Sequence, residues 1–173
     1  MEHLKILQVV GFKNSGKTTL MSRFIELAME AEKKVSAIKH HGHGGKPDLP
    51  PVSTDSMQFL DKGAASSLVY GDGLVQIHLQ HQQENLEKFI DFSILAEPDF
   101  ILIEGFKNAC FPKVVLVRSP EDWQLLKGLS NIQLVIVHKG VELGNIETLK
   151  LENQSAVDRF FTDWMEGELD ESI

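Results

Sequence analysis

The sequence is poor in cysteine and in long apolar runs, and each shortage excludes a class of protein. Cys110 is the only cysteine, so no disulfide can form within the chain. No uncharged apolar run approaches the ~20 residues that a membrane-spanning helix needs. The first residues also lack the basic and then apolar pattern of a signal peptide. We therefore expect a cytoplasmic protein without a membrane partner.

Positive charge is also in short supply. The chain carries 17 Lys and Arg residues against 25 Asp and Glu residues, for a net charge of -8. A surface without a basic excess is poorly suited to nucleic acid, so we expect no nucleic-acid partner. The arginines are few and dispersed (Arg23, Arg118 and Arg159), whereas small nucleotide kinases gather several in a lid over the phosphates. This counts against a kinase.

Strand-like and helix-like segments alternate along the chain. Short apolar strands are predicted at 4–10, 35–39, 99–105, 114–117 and 132–137. Helices are predicted from about 17 to near the Lys33-Lys34 pair, at 55–62, from 86, from 119 and at about 155–165. Two further strands, 67–70 and 74–79, are joined by "GDG", a hairpin signal.

This order predicts an α/β fold, and more specifically a P-loop NTPase-like three-layer sandwich with a largely parallel, partly mixed sheet. The length of 173 residues fits one domain over residues 1–173. Residues 40–54, rich in glycine and proline, are predicted to form a long loop. An acidic tail closes the chain.

The stretch "GFKNSGKTT", residues 11–19, lies between the first strand and the first helix and fits the pattern G-x-x-x-x-G-K-[ST]. Glycine lets a backbone approach a ligand closely, and successive amides then point at anionic oxygens. The following helix adds its unpaired N–H groups. The motif therefore predicts a nucleoside triphosphate site. Its nucleotide-binding residues are Gly11, Asn14, Ser15, Gly16, Lys17, Thr18 and Thr19.

Four charged or hydroxyl side chains in or near this loop have predicted roles. Lys17 is expected to neutralise the outer phosphates and so to act in catalysis, and Thr18 to ligate Mg²⁺. Glu104 ends the strand "FILIE", where a second Mg²⁺-binding, catalytic acid is expected; the alternative is an acid that forms an ion pair. Lys13 either adds charge near the phosphates or is solvated.

Two other features of the sequence suggest ligands. Asp55 is either another metal-binding acid or the first-turn acid of a helix. His40, His41 and His43 have poor spacing for a transition metal because neighbours in an extended chain point to opposite sides. Contact with phosphate or a partner, and a simply solvated loop, are the other interpretations.

The stretches "GFKNSGKTT", "IKHHGHG", "KPD", "FILIEGFK" and "PKVVLV" occur in this order over about residues 4–118. In this respect the chain resembles the molybdopterin-guanine dinucleotide biosynthesis protein B (MobB) family. The segment "DLPPV" departs from the acid-rich version expected in that family.

The resemblance implies a homodimer that binds GTP with Mg²⁺ and hydrolyses it slowly. It also implies a partner nucleotidyltransferase that joins GMP to molybdopterin. Glu104, Gly105 and Lys107 match the family's second motif, and His40, Asp55 and Ser56 match its middle segment. A metal-delivery GTPase is the alternative function, and a non-enzymatic adaptor is a third.

The residues themselves indicate little about which nucleotide base the protein binds. Guanine is usually held by an aspartate two residues after a lysine. Lys139 follows the last predicted strand and can lay its stem on a base, but Val141 stands where the aspartate would be. The expectation of GTP therefore comes from the resemblance.

Overall fold

The fold is built around a six-stranded parallel sheet, seen in a computed structural model that describes residues 4–42, 47–80 and 85–167. The elements in chain order are β1 (Lys5–Gly11), α1 (Lys17–Glu30), β2 (Val35–Lys39), α2 (Asp55–Asp61), β3 (Ser66–Gly71), β4 (Leu74–Leu79), α3 (Leu86–Ile94), β5 (Phe100–Glu104), β6 (Lys113–Val117), α4 (Pro120–Leu126), β7 (Ile132–Val137), β8 (Leu149–Lys150) and α5 (Gln154–Glu166). The strand order of the large sheet is β2-β5-β1-β6-β7-β8.

Helices cover both faces of this sheet, because its strands are apolar on both sides. On one face, α1 and α5 pack through Phe24, Phe161 and Trp164 against strand residues such as Leu7 and Leu102. The rings of Phe24 and Phe161 stack with their centroids 4.1 Å apart. On the other face, α3 and α4 cover two separate apolar clusters. The predicted three-layer arrangement is therefore observed.

Helix α1 ends earlier than the sequence suggested. Its last residue is Glu30, and no basic side chain lies in its last turn, so the predicted end at Lys33-Lys34 is wrong. Glu32 adopts a left-handed conformation with φ of 55°. The amides of Glu32 and Lys33 donate to the carbonyls of Met29 and Ala28, at 3.0 and 2.9 Å. This is a Schellman motif, in which backbone geometry terminates the helix.

The chain folds into two compact units. The first comprises residues 1–42 and 86–173, and the second comprises residues 43–85. The second unit contains α2 and the antiparallel hairpin of β3 and β4. This hairpin is a sheet of its own, so the expectation that it joins the large sheet and makes it mixed is wrong. The single domain predicted for residues 1–173 stays a prediction.

The predicted loop at residues 40–54 contains neither helix nor strand over its described residues, 40–42 and 47–54. His43 and the acidic tail lie outside the described residues. Within the ranges that the structure describes, none of the helices is both long enough and apolar enough to span a bilayer.

Candidate nucleotide-binding site

The predicted phosphate loop, residues 11–18, lies at the centre of the large sheet. It connects β1 to α1, and β1 lies between β5 and β6 in the sheet. After β1, the chain places β2 and β5 on one side of β1 and then β6, β7 and β8 on the other side. The direction in which strands are added therefore reverses next to β1. In open parallel sheets, ligands bind at the carboxyl ends of the strands at such a reversal. Topology and motif therefore point to the same position.

The backbone of the phosphate loop is braced through its carbonyl groups. Arg118 Nη1 donates to the carbonyl of Lys13 at 2.6 Å. His138 Nε2 lies 2.9 Å from the carbonyl oxygen of Ser15, which can only accept, so this nitrogen carries the proton. Arg118 is itself held by two hydrogen bonds to the carboxylate of Asp122, at 2.7 and 3.0 Å. These contacts fix the peptide planes of the loop from outside.

The amides at the start of α1 remain available to a ligand. The first amide that donates within the helix is that of Leu20, to the carbonyl of Gly16 at 2.9 Å. The amides of Lys17, Thr18 and Thr19 donate to no atom in the described parts of the chain. Unpaired N–H groups and the positive end of the helix dipole favour an anion there.

Gly11 is required by a close approach of two backbone segments. A Cβ at this position would lie 2.8 Å from the carbonyl oxygen of Leu116 and 2.6 Å from Ser15 Oγ. Ser15 is fully buried, and its hydroxyl has no hydrogen-bond partner among the described residues. Its amide donates within the loop, to the carbonyl of Phe12 at 3.2 Å. The predicted binding residue Ser15 is thus buried within the loop, whereas Asn14 is exposed with φ of 60°.

Four cationic side chains surround the loop in a protein that is acidic overall. Lys17 Nζ donates to the carbonyl of Phe12 at 2.8 Å. Burial lowers the pKa of Lys17 most, and the nearby charges of Lys39, Lys107 and Arg118 lower it further, whereas Glu104 raises it. The ammonium group is therefore poorly compensated here, and an anion would stabilise its charged form.

Glu104, Thr18 and Lys39 form a compact cluster beside the loop. Thr18 Oγ1 donates to Glu104 Oε2 at 3.0 Å. Lys39 Nζ lies 3.0 Å from Glu104 Oε2 and 3.1 Å from Thr18 Oγ1. Lys39 and Glu104 face each other because they are register partners at the ends of β2 and β5. Glu104 therefore forms an ion pair, which is one of its two sequence interpretations, and its role as a Mg²⁺ ligand stays a prediction.

The segment after Glu104 approaches both His40 and the phosphate loop. A Cβ at Gly105 would lie 2.8 Å from the Cβ of His40, and its φ is 94°, so glycine is needed here. The rings of His40 and Phe106 are 4.7 Å apart. Lys107 Nζ lies 4.6 Å from the centre of the Phe12 ring, in a cation–π contact. Gly105, His40 and Lys107 are thus brought together with the loop.

The structure describes the other predicted site residues without placing them in this cluster. Asp55 and Ser56 begin α2 in the second unit, where Asp55 is exposed and Ser56 is buried. Lys139 is exposed in the turn after β7, next to His138. Val141 packs against the apolar cluster on the α4 face. The predicted roles of Asp55, Ser56 and Lys139 stay predictions.

The sequence reasoning missed three roles: His138 and Arg118 brace the phosphate loop, and Lys39 pairs with Glu104. Each of these residues lies at the end of a parallel strand: Lys39 is the last residue of β2, and the other two directly follow β6 and β7. Polar residues at such positions lie at the carboxyl edge of the sheet, and this signal was present in the sequence.

The histidines of the predicted loop show no metal site within the described part of the chain. The described residues contain no group of three or more His, Cys, Asp or Glu side chains that could hold a metal ion. His43 lies outside the described residues.

A parallel α/β sheet with a glycine-rich loop after its central strand defines the class of P-loop NTPase-like proteins. A family profile places the chain within this class. The profile of "Molybdopterin guanine dinucleotide synthesis protein B" matches residues 6–138. The chain therefore belongs to this family, as its motifs suggested.

Individual relatives support the assignment of the chain to this family. The chain is 38% identical over 130 residues, 75% of each chain, to a Bacillus subtilis protein named "Probable molybdopterin-guanine dinucleotide biosynthesis adapter protein". The crystal structure of Bacillus subtilis MobB superposes with a TM-score of 0.79 at 35% identity, covering 92% of this chain and 97% of that one. A MobB homologue from Bacillus stearothermophilus gives 0.76 at 32% identity, covering 94% and 98%. The predicted P-loop NTPase-like fold class is thereby confirmed.

Proposed function

We propose that this protein binds GTP with Mg²⁺, hydrolyses it slowly, and assists a nucleotidyltransferase that attaches GMP to molybdopterin. The family supports the pathway, since the related Bacillus subtilis protein is named as a biosynthesis adapter for molybdopterin-guanine dinucleotide. The proposal of nucleotide binding rests on the braced phosphate loop. Two of its carbonyl groups contact Arg118 and His138, while the first amides of α1 donate to no described atom.

In this proposal the chain's residues bind and orient the triphosphate. The amides of Lys17, Thr18 and Thr19 donate to phosphate oxygens. Lys17 exchanges the carbonyl of Phe12, which it now contacts at 2.8 Å, for the outer phosphates. Its ammonium group gains a full negative partner in that exchange. Lys107 and Arg118 add positive charge at the same edge.

Thr18 and Glu104 would hold the Mg²⁺ ion. A hydroxyl and a carboxylate oxygen 3.0 Å apart are hard oxygen donors of the kind that Mg²⁺ prefers. Both oxygens already contact the ammonium group of Lys39, which indicates that the cluster favours a cation. When bound, the ion would neutralise charge on the phosphates. The sequence motifs identify no residue that would orient an attacking water, which is why we expect slow hydrolysis.

The preference for GTP rests on the family rather than on a base contact. Val141 is partly buried against the apolar cluster on the α4 face and offers no carboxylate to guanine. Lys139 is the proposed base contact, because it is exposed directly after His138, which touches the phosphate loop. A competition experiment with ATP tests this part. Equal affinity for the two nucleotides would contradict it.

Calorimetric titration tests the nucleotide site itself. Lys17→Ala should weaken triphosphate binding by about 100-fold, since charged hydrogen bonds are lost. Lys33→Ala, at an exposed lysine after α1, is the matched control. Glu104→Gln should weaken binding with Mg²⁺ more than binding without it. Unchanged affinity for Lys17→Ala, or equal losses for Glu104→Gln, would contradict these roles.

We also propose that the protein is a homodimer and that the hairpin of β3 and β4 forms its interface. Leu68, Tyr70 and Val75 are 63%, 70% and 49% exposed. They lie on one face of the hairpin because Tyr70 pairs with Val75 and Leu68 is two residues from Tyr70, and a monomer gains nothing from exposing such side chains together. Light scattering of Tyr70→Lys should give a monomer, and Gln76→Lys on β4 is the control. A monomeric wild-type protein, or an unchanged dimer in Tyr70→Lys, would contradict the proposal.

A further inference from the structure

Two polar side chains are buried side by side in the otherwise apolar centre of the large sheet. Gln8 on β1 and Lys113 on β6 are register partners, and both have 0% exposure. Gln8 points to the same side of the sheet as Ile6 and Val10, and Lys113 to the same side as Val115, so both face the layer of α3 and α4. Burying such groups is costly unless hydrogen bonds compensate for the lost water. Their presence therefore calls for partners on that face.

Their partners are the backbone carbonyls of residues 105–112, the segment that follows Glu104. Gln8 Nε2 donates to the carbonyls of Gly105 and Phe106, each at 3.0 Å. Lys113 Nζ donates to the carbonyls of Ala109 and Phe111, at 2.5 and 2.8 Å. The amide of Gln8 donates to the carbonyl of Pro112 at 2.8 Å. Two neighbouring residues thus satisfy five of the eight carbonyls in a segment without helix or strand.

The same segment carries Lys107 against the phosphate loop. Lys107 is exposed, and its ammonium group is 4.6 Å from the Phe12 ring centre. Lys107 itself contacts neither Gln8 nor Lys113, but the carbonyl of Phe106 directly precedes it. Gln8 Nε2 donates to two carbonyls, whereas Gln8 Oε1 has no hydrogen-bond partner among the described residues. The donated hydrogen bonds, made in a buried environment, hold the segment in one conformation. Apolar side chains at positions 8 and 113 would fill the core but would leave the backbone of the segment unheld.

We propose that Gln8 and Lys113 are positioning residues: they hold residues 105–112 on the sheet so that Lys107 is presented to the phosphate loop. Lys113 is suited to this because it can donate to several carbonyls at once. It has no carboxylate partner among the described residues, and burial lowers its pKa. Carbonyl groups, rather than a carboxylate, therefore compensate the lysine.

Lys113→Met tests the proposal, since it keeps the length of the side chain and removes the donors. Amide hydrogen exchange in residues 105–112 should become at least about tenfold faster, because two hydrogen bonds are lost locally. Trypsin cleavage after Lys107 should accelerate in parallel. Amides of α5 should exchange as in the wild type. Lys127→Met, at an exposed lysine after α4, is the matched control.

A double-variant comparison separates positioning from a general loss of stability. GTP affinity should fall by the same factor in Lys113→Met and in Lys107→Ala, and the double variant should bind no more weakly than either one. This readout rests on the proposed function. If wild-type protein fails to bind GTP, the proposed function fails, while hydrogen exchange still decides the positioning role.

Gln8→Met provides an independent variant that removes only the two contacts at Gly105 and Phe106. Faster exchange confined to residues 105–112 in either variant supports the proposal. Uniformly faster exchange, additive losses of affinity, or unchanged exchange in the segment would overturn it. If neither variant folds, the two side chains serve the fold itself and the proposal is overturned as well.

Discussion

Replacing Lys39 with methionine should make Mg²⁺ bind more readily at the phosphate loop. The ammonium group of Lys39 contacts both oxygens that we assign to the ion, Glu104 Oε2 at 3.0 Å and Thr18 Oγ1 at 3.1 Å. An ion that binds these oxygens must displace it. Removal of Lys39 therefore removes a competitor and also a like charge.

The size of the effect follows from the exposure of the pair. The side chain of Lys39 is 57% exposed and that of Glu104 is 9% exposed, so solvent screens the pair from one side. Such ion pairs contribute about 0.5–1 kcal/mol. The Mg²⁺ concentration that gives half-maximal GTP binding should then fall by about 2- to 5-fold. Without ligand, loss of the pair should lower the melting temperature by about 1–4 °C.

The assay is calorimetric titration of a GTP analogue at a series of Mg²⁺ concentrations, with thermal unfolding of the same samples. Lys33→Met controls for the removal of an exposed lysine elsewhere. An unchanged Mg²⁺ midpoint would show that Lys39 does not compete with the ion. A higher midpoint would show that Lys39 helps to hold the triphosphate, and it would refute the reasoning.

Three further predictions concern stability. Glu32→Gly should raise the unfolding free energy by about 0.5–1 kcal/mol, because glycine adopts the left-handed conformation at this position, with φ of 55°, without strain; a lower denaturation midpoint would contradict this. Phe161→Ala should cost about 3–5 kcal/mol in urea unfolding, since its buried ring stacks on Phe24, and a cost below about 1 kcal/mol would contradict the packing. The hydrogen bond from Arg118 holds the pKa of Asp122 below its ordinary value of 3.8, so the folded carboxylate binds a proton less readily than the unfolded one. The stabilisation by Asp122 is therefore present above pH 3.8 and is lost as the pH falls further. In Asp122→Asn the free energy of unfolding should depend less on pH in this acid range, and an unchanged dependence would contradict the prediction.

The sequence predicted local structure well wherever the signal lies within a short window. The bounds of β2, β4 and β7 match their predicted ranges, because short apolar runs bounded by turn residues specify strands. Helix α4 begins at Pro120, next to its predicted start at 119, and Ser119 caps it by accepting from the amide of Asp122 at 3.3 Å. The end of α1 was missed because a left-handed Glu32, rather than the charge of Lys33 and Lys34, terminates it.

Pairing between distant segments was predictable only in part. The "GDG" hairpin formed, but its own residues did not indicate that it would be a two-stranded sheet of its own. Strand β8 has only two residues, Leu149 and Lys150, too few to show a period. Its pairing with β7 depends on the surrounding fold.

The sequence by itself determined the phosphate loop, the acid at the end of β5 and the family, since each is written in consecutive residues. Only the tertiary structure decided that Lys39 contacts Thr18 and Glu104, that Arg118 and His138 brace the loop, and that Gln8 and Lys113 hold the segment after Glu104. The physical reason is that parallel strands bring their carboxyl ends to one edge of the sheet. The crossover connections, and not the order of the strands along the chain, decide which ends are neighbours there. Residues about 100 positions apart therefore become neighbours.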